Sequence, residues 1–233
     1  MTPQVLFEDT SLLVLSKPSK LHSVGQLESN SPSLAQIIGE QYPELVNASE
    51  KKEDFGLVNR LDFETSGLVL VAKTRDIWTK LREQIQRGEI HKEYLALADG
   101  IFDDNREIST FIGNPNRGAP KVRVFAEKPR KKDRALPAKS LFAPYKILKD
   151  KQATIIQVIA PTARRHQIRA HAAFVGHPLI GDTQYGSTRS VGDVVVGREE
   201  RFLLHAGLMR LVHPVTGKEV SVAVKAEWEV ALQ

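Results

Sequence analysis

The apolar residues of this chain fall mainly into short runs of strand length, separated by polar turns. The apolar residues 5–7 and 12–15 are split by the polar segment 8–11, and this pattern predicts a two-stranded hairpin. The unbroken apolar run 68–72 predicts a buried strand, and the alternation of residues 91–98 predicts another.

The C-terminal half continues the pattern. Strands are predicted at residues 140–148 and 153–159. A closing hairpin is predicted to join 202–212 to 219–224 around the turn 214–217. Strands outnumber helices and follow one another directly, which predicts an α+β fold built on a mainly antiparallel mixed sheet with flanking helices.

Three segments have the periodicity of helices. The first is predicted to start at Ser31-Pro32, with the proline in its first turn. In residues 75–87 apolar side chains recur every four positions, and Gly88 lies where a C-terminal cap belongs. The third helix is predicted to run from Pro161-Thr162 to about Val175.

The composition is that of an ordinary globular protein. The chain has 233 residues, 41% of them hydrophobic and 26% charged, and this length fits one large domain or two small ones. It contains no cysteine, which excludes disulfides, thiolate metal sites and a cysteine nucleophile. No targeting signal is visible, and no apolar run approaches the roughly 18 residues of a membrane span. We therefore expect a cytoplasmic protein without a membrane partner.

The charge is unevenly distributed. Lysine and arginine exceed aspartate and glutamate by 33 to 28, and the net +5 hints at an anionic partner. Residues 114–139, rich in proline, glycine and charge, include Lys131 and Lys132. We call this segment the basic excursion, because its composition predicts that it leaves the core. Its charges are either phosphate contacts or the surface of a solvated connection, and charge alone favours neither.

Asp62 lies between Arg60 and a Thr-Ser-Gly turn, just before the apolar run 68–72. This layout predicts a carboxylate on a loop at the mouth of a buried strand, and such loops often carry catalytic groups. A neighbouring cation can keep a carboxylate ionised, which makes Asp62 a candidate nucleophile. A surface ion pair on an ordinary turn is the alternative interpretation of an isolated Arg-x-Asp tripeptide.

Residues 162–171 combine three arginines and two histidines at a predicted helix start. The arginines are Arg164, Arg165 and Arg169. Helix N-termini attract anions, so the segment is a candidate anion site, and a merely basic helix surface is the alternative. A metal site at His166, His171 and His177 is disfavoured, because the arginines repel a divalent cation and the spacing fits no zinc pattern.

Other catalytic templates are absent from the sequence. It contains no dinucleotide fingerprint, no phosphate loop, no Gly-x-Ser-x-Gly elbow and no His-Glu-x-x-His. The sequence therefore predicts no ATP, NAD or metal machinery. An enzyme built from these residues must work with a carboxylate, arginines and a tyrosine.

Residues 59–73 resemble the signature of RluA-type pseudouridine synthases, His-Arg-Leu-Asp-x-x-Thr-Ser-Gly followed by apolar residues. Residues 92–94, Lys-Glu-Tyr, are similar to the tyrosine motif of this family. Residues 162–171 are similar to its Gly-Arg-x-His-Gln-Ile-Arg-x-His segment. The opening at 8–18 and the closing hairpin at 204–214 are also similar to the corresponding segments of this family. All these segments follow one another in the family's order, so the resemblance covers nearly the whole chain.

The resemblance implies a pseudouridine synthase fold in a single catalytic domain, 1–233, of the compact form without an N-terminal S4 domain. It implies an enzyme that isomerises uridine to pseudouridine in ribosomal or transfer RNA. It further implies a monomer that needs neither a cofactor nor a metal.

The matching motif positions carry roles over to this chain. The resemblance implies that Asp62 is the catalytic aspartate, that Tyr94 stacks on the target uracil and that Arg169 pairs with the carboxylate. It implies that Arg60 enters the RNA stack near the flipped nucleotide. Further RNA contacts are expected from residues of the second motif and the basic excursion, namely Arg164, Arg165, His166, Gln167, Lys131 and Lys132.

Two positions depart from the family's pattern: Asn59 replaces the usual histidine and Ala163 the usual glycine. Asparagine can form hydrogen bonds but cannot titrate. Activity is still expected, because Asp62 and Arg169 are both present. The alternative is a non-catalytic RNA-binding or RNA-folding protein on the same scaffold, which only Asn59 favours. A carboxylate-dependent hydrolase of phosphate esters would need metal-binding acids that the sequence lacks.

Overall fold

The structure, a computed structural model, describes residues 3–25, 31–114, 119–198 and 201–229. These residues contain three α-helices and ten β-strands. In chain order the elements are β1 (Gln4–Glu8), β2 (Leu12–Lys17), α1 (Leu34–Gln41), β3 (Ser66–Ala72), α2 (Arg75–Arg87), β4 (His91–Asp99), β5 (Arg106–Gly113), β6 (Arg123–Phe125), β7 (Leu136–Leu148), β8 (Ala153–Ile159), α3 (Gln167–Phe174), β9 (Leu204–Val212) and β10 (Glu219–Ala223).

The chain divides into two compact units. The first comprises Met1–His91 and Ala206–Ala226, and the second comprises Lys92–His205 and Glu227–Gln233. The expectation of a single catalytic domain over 1–233 stays a prediction. Within the described ranges, no helix has both the length and the apolar character needed to span a membrane.

In the first unit, β1, β2, β3 and β9 are neighbours in this order, and β10 pairs with β9. Successive residues of β2 and β3 enter two different cores. Val14 and Leu70 pack on the side of α2, whereas Leu13 and Val69 pack on the side of α1. Because helices cover both faces, residues 12–15 of β2 and 68–72 of β3 are apolar at successive positions rather than at alternate ones.

In the second unit the strand order is β4-β8-β7-β5-β6, and each of these pairs is antiparallel. A bulge between Pro144 and Lys146 interrupts the register of β7 with β8. Phe102, Phe142 and Ile168 of α3 belong to the core of this unit. The strand pairings and the helices confirm the predicted α+β fold with a mainly antiparallel sheet.

Most predicted elements are confirmed. Both hairpins form, and α2 occupies the predicted range and ends at Gly88, whose φ of 71° is left-handed. β7 begins at Leu136, four residues before its predicted start. β5 was not predicted, although its alternation buries Ile108, Thr110 and Ile112 on one face.

The predicted start of α3 is wrong. This helix begins at Gln167, six residues later than expected, after His166 in the left-handed conformation with φ 52°. The side-chain Oε1 of Gln167 accepts hydrogen bonds from Thr162 Oγ1 at 2.8 Å and from the Arg164 N–H at 3.2 Å. These bonds hold residues 162–166 as a turn, and no periodicity in the sequence signals them.

The start of α1 also differs from the prediction. Ser33 is the N-cap and Leu34 the first helical residue, so Pro32 lies before the helix rather than in its first turn. Ser33 and Gln36 form a reciprocal capping box. The capping box provides acceptors for the backbone N–H groups of Ser33 and Gln36 at the start of the helix.

Candidate active site

Asp62 opens a tight turn in the first unit. Its carbonyl accepts a hydrogen bond from the Thr65 N–H at 3.1 Å, and β3 starts at the next residue. Gly67 lets this strand approach its neighbour, because a Cβ there would stand 2.3 Å from the Ala206 carbonyl oxygen. The Thr-Ser-Gly sequence therefore places the half-buried Asp62 at the N-terminal end of a rigid strand.

Lys17 lies beneath this turn and was not identified from the sequence. It is 1% exposed, and its Nζ donates hydrogen bonds to the carbonyls of Pro18 at 2.9 Å, Leu21 at 2.7 Å and Phe63 at 3.3 Å. The ammonium group thus ties the residue after Asp62 to the end of β2. A lysine at the end of a strand that begins with four apolar residues is the signal in the sequence that could have revealed it.

Burial is the main influence on the Lys17 ammonium, and it lowers the pKa of this group to about 7. The negative charges of Asp62 and Glu64 act in the opposite direction and raise the pKa. Lys17 therefore lies within electrostatic range of both carboxylates, in a place where a positive charge is costly.

Two serines complete the attachment of the Asp62 loop. Ser23 Oγ donates to the Leu61 carbonyl at 2.7 Å and accepts from the Leu61 N–H at 3.0 Å. Ser19 Oγ donates to the Glu64 carbonyl at 2.9 Å. Together with Lys17, they connect residues 18–23 to residues 61–64 by side-chain to backbone bonds, which fixes the loop without a regular sheet.

The second unit places Arg169 in a buried ion pair. Its Nε lies 2.6 Å from Asp182 Oδ2 and its Nη2 lies 2.9 Å from Asp182 Oδ1, a bidentate geometry. Nη2 also donates to Gln184 Oε1 at 2.7 Å, and the rings of Tyr185 and Phe202 flank the guanidinium. The pairing of Arg169 with Asp62 that the resemblance implies stays a prediction, and no role was predicted for Asp182.

Tyr94 lies on β4 opposite Val158 of β8. Its half-buried ring packs against the core of the second unit. The strand therefore holds the ring from one side and leaves part of it exposed. The implied stacking on uracil is a prediction that this placement does not test.

Arg164 and Arg165 precede α3 and do not lie on it. Arg164 Nε donates to the Pro137 carbonyl at 3.0 Å, and burial lowers the pKa of this guanidinium. The two Nη atoms of Arg165 donate to the carbonyls of Ala119 and Pro120 at 2.8 and 2.9 Å. Both arginines therefore bind the backbone of the basic excursion, and a contact with phosphate stays a prediction.

His166 and Gln167 both have defined partners. His166 Nδ1 lies 2.9 Å from the Tyr185 hydroxyl. The Nε2 of Gln167 donates to the Lys139 carbonyl at 2.8 Å and to Ser140 Oγ at 3.0 Å. Gln167 is thus buried and bonds the start of α3 to β7, and its expected contact with RNA stays a prediction.

The three histidines of the disfavoured metal alternative have separate partners. His171 lies between Thr110 Oγ1 and Ser140 Oγ at 2.9 Å each, and burial lowers its pKa to about 4. His177 Nδ1 donates to the Asp99 carbonyl at 2.8 Å. Among the residues that the structure describes, no group of three or more histidine, aspartate or glutamate side chains could hold a metal ion.

Lys131 and Lys132 occupy a short 3-10 turn, Lys131–Asp133, within the basic excursion, of which residues 115–118 lie outside the described ranges. Both lysines are exposed. Arg134 ends the turn in the left-handed conformation with φ 46°. The two ammonium groups are accessible from solvent, as a phosphate contact requires.

Comparison with known proteins identifies the family. The sequence model of the RNA pseudouridylate synthase family matches residues 11–174. The chain is 30% identical to the dual-specificity RNA pseudouridine synthase RluA of Salmonella typhi, over 96% of this chain and 93% of that protein. It is 31% identical to the ribosomal large subunit pseudouridine synthase D of Haemophilus influenzae, over 92% of this chain and 64% of that protein. It thus spans just under two thirds of the latter.

The fold agrees with solved structures. Human RNA Pseudouridylate Synthase Domain Containing 4 superimposes with a TM-score of 0.72 at 20% identity, over 98% of this chain and 90% of that chain. Human RNA Pseudouridylate Synthase Domain Containing 1 superimposes with a TM-score of 0.71 at 20% identity, over 100% of this chain and 86% of that chain. The fold is therefore that of pseudouridine synthases. The chain belongs to the RluA-type RNA pseudouridine synthase family, as its motifs predicted.

Proposed function

We propose that this protein isomerises uridine to pseudouridine in ribosomal or transfer RNA, with Asp62 as the nucleophile. The observation that carries the proposal is the fixed turn of Asp62 at the start of β3, with the Lys17 ammonium beneath it. The turn holds the carboxylate in one place at the mouth of the strand, and a nucleophile must be positioned in this way.

The reaction needs a nucleophilic carboxylate and no cofactor. The bond from ribose C1′ to uracil N1 breaks, the base rotates, and C1′ bonds to C5, which loses its hydrogen while N1 gains one. Substrate and product are isomers, so no oxidant, cofactor or metal is consumed. Asp62 would add to the ribose or to the uracil ring, and both routes need the same ionised carboxylate.

The other site residues supply binding. A uridine inside RNA structure must be flipped out at a cost of a few kcal/mol. We assign Arg60 to the space that the base leaves and Tyr94 to stacking on the extruded uracil, which is worth roughly 1–3 kcal/mol. Arg169 is assigned to the catalytic carboxylate, and Lys131 and Lys132 to phosphates.

The names of the relatives support RNA as the substrate class, and one of them specifies the ribosomal large subunit. We propose that the protein acts in the cytoplasm, as a monomer and without a metal. The non-catalytic alternative depended on Asn59, and the hydrogen bond of its side chain to the Leu70 N–H, at 2.8 Å, gives that residue a use in an active enzyme.

The proposal is tested by mapping pseudouridines in cellular RNA with and without the gene, and by supplying the purified protein with ribosomal and transfer RNA transcripts that carry tritium at uracil C5. Isomerisation releases this tritium to water. We expect release from a ribosomal or transfer RNA transcript and loss of the matching pseudouridine from cells without the gene. Binding of the transcripts without tritium release would favour the non-catalytic alternative.

A further inference from the structure

Phe63, directly after Asp62, is an exposed aromatic residue in a fixed loop. The side chain is 39% exposed, although burying a phenylalanine stabilises a protein by roughly 1.5–3 kcal/mol. Its ring centroid lies 4.4 Å from that of His22, with 35° between the planes. The two rings therefore form an inclined stack at the surface of the first unit rather than an edge contact.

The backbone beneath both rings is held on either side. Ser23, which follows His22, exchanges two hydrogen bonds with Leu61, and Lys17 Nζ binds the Leu21 and Phe63 carbonyls. The segment that carries one ring is thus bonded to the segment that carries the other. The aromatic pair is preorganised, so a ligand that stacks on it loses little binding free energy to ordering of the loop.

The charges around the pair favour a nucleobase over an apolar protein surface. Arg60 is exposed three positions before Phe63, and Asp62 is adjacent to it. An apolar partner would have to desolvate these charges, whereas RNA offers a flat base to the Phe63 ring and the faces of stacked bases to the Arg60 guanidinium. Since Phe63 follows the proposed nucleophile, a base on its ring would be next to the target nucleotide.

We propose that the Phe63–His22 pair is a stacking platform for an unpaired base of the RNA that flanks the target uridine. This inference rests on the proposed function. The platform holds the neighbour of the extruded uridine and so positions the RNA for Asp62 without taking part in bond making. Purines stack over a larger area than pyrimidines, so a purine neighbour is favoured.

The first test compares three variants in the tritium-release assay. Phe63→Ala is expected to raise KM by roughly 5- to 150-fold, the range for losing one stacked base, with a much smaller change in kcat. Phe63→Trp should restore the parent KM, and Phe63→Leu, apolar but without a flat ring, should not. Tyr145→Ala, which truncates another exposed aromatic residue, is the control and should keep the parent constants.

A leucine variant with the parent KM would overturn the stacking role, and so would a Phe63→Ala variant that lowers kcat alone. A thermal melt of each variant checks folding. Phe63→Trp keeps the inference testable even where Phe63→Ala folds poorly.

The second test does not depend on catalysis. The indole of Phe63→Trp is titrated with poly(A) and poly(U), and the signal of Trp78 and Trp228 is subtracted with the parent protein. We expect quenching, stronger with poly(A). Quenching no greater than that of a Tyr145→Trp control would overturn the platform. If the parent releases no tritium from any transcript, the proposed function fails, and this titration still decides the platform.

Discussion

Asn59 accepts a hydrogen bond from the backbone N–H of Leu70 through its side-chain Oδ1, at 2.8 Å. The preceding residue, Val58, donates its own N–H to the Leu70 carbonyl at 2.9 Å. The chain just before Asp62 is thus bonded to the centre of β3 by one backbone and one side-chain bond. Asn59 therefore attaches the start of the Asp62 loop to β3 by accepting a hydrogen bond, and this role needs no titratable group.

We predict that Asn59→His leaves the pH–rate profile unchanged between about pH 6 and 8. A histidine titrates in this window, with a usual pKa near 6.5, so a catalytic role would add an inflection there and raise the rate. A hydrogen-bonding role predicts neither. The measurement is kcat/KM against pH for both proteins, and a large gain with a new inflection near pH 6.5 would show that the native residue weakens the enzyme.

The matched variant Asn59→Leu removes the acceptor. It leaves the Leu70 N–H without this partner, so we expect a loss of about 1–3 kcal/mol in the free energy of unfolding. Urea denaturation of Asn59→His and Asn59→Leu beside the parent would measure it. Equal free energies of unfolding for all three proteins would show that the hydrogen bond from Leu70 to Asn59 does not stabilise the fold.

Lys17 predicts a pH dependence of stability. Burial lowers its pKa in the folded chain from 10.5 to about 7, so between these values the unfolded chain binds a proton that the folded chain has released. Stability contributed by Lys17 therefore rises with pH across this window, by at most about 1.4 kcal/mol per pH unit. Relative to Lys17→Met, the parent should become more stable from pH 7 to 10.

This comparison cancels groups that titrate alike in both proteins. Lys80→Met, at an exposed lysine of α2, is the control for removing a lysine that is not buried, and the pH dependence for Lys17→Met should exceed the one measured for it. A pH-independent difference between Lys17→Met and the parent would mean that the three carbonyls keep Lys17 charged throughout.

The Arg169–Asp182 pair predicts a large loss of stability when one partner is removed. Both side chains are buried, so Asp182→Asn removes the charge of a carboxylate that accepts two hydrogen bonds from the guanidinium, at a cost of about 3–5 kcal/mol. Asp104→Asn, which breaks the exposed pair with Arg106, is expected to cost less than about 1 kcal/mol. Chemical denaturation compares them, and similar losses for both would refute the structural importance of Asp182.

The basic excursion predicts salt-sensitive binding. Each phosphate contact contributes a slope of roughly 0.7–0.9 in log affinity against log salt. Replacing Lys131 and Lys132 by glutamine should flatten the slope for RNA by roughly twice this value. The same replacement of the exposed pair Lys51 and Lys52 is the control and should keep the parent slope. If both double variants keep it, the excursion is only a solvated surface.

The elements that the sequence predicted well are those with local signals. α2 was located from its four-residue repeat and the glycine at its end, and both act within one turn of helix. β2 and β3 were located from the apolar runs 12–15 and 68–72, because burial on both faces favours apolar residues at successive positions. The Asp62 loop was located because its signature is contiguous in the chain.

The features that the sequence did not reveal depend on distant partners. α3 begins late because Gln167 bonds to β7 and to Thr162, which no periodicity indicates. Lys17 Nζ has all three of its carbonyl acceptors only once the Asp62 loop folds over it. In the sequence Asp182 has the pattern of an ordinary loop residue, and only the fold brings it against Arg169.

The most direct measurement of the central claim compares turnover and RNA binding for Asp62→Asn. The amide is nearly isosteric but cannot act as a nucleophile, so we expect tritium release to be abolished while binding persists. Asp150→Asn, at an exposed aspartate, is the control and should retain both. Tritium release by Asp62→Asn at the parent rate would contradict the assignment of Asp62 as the nucleophile.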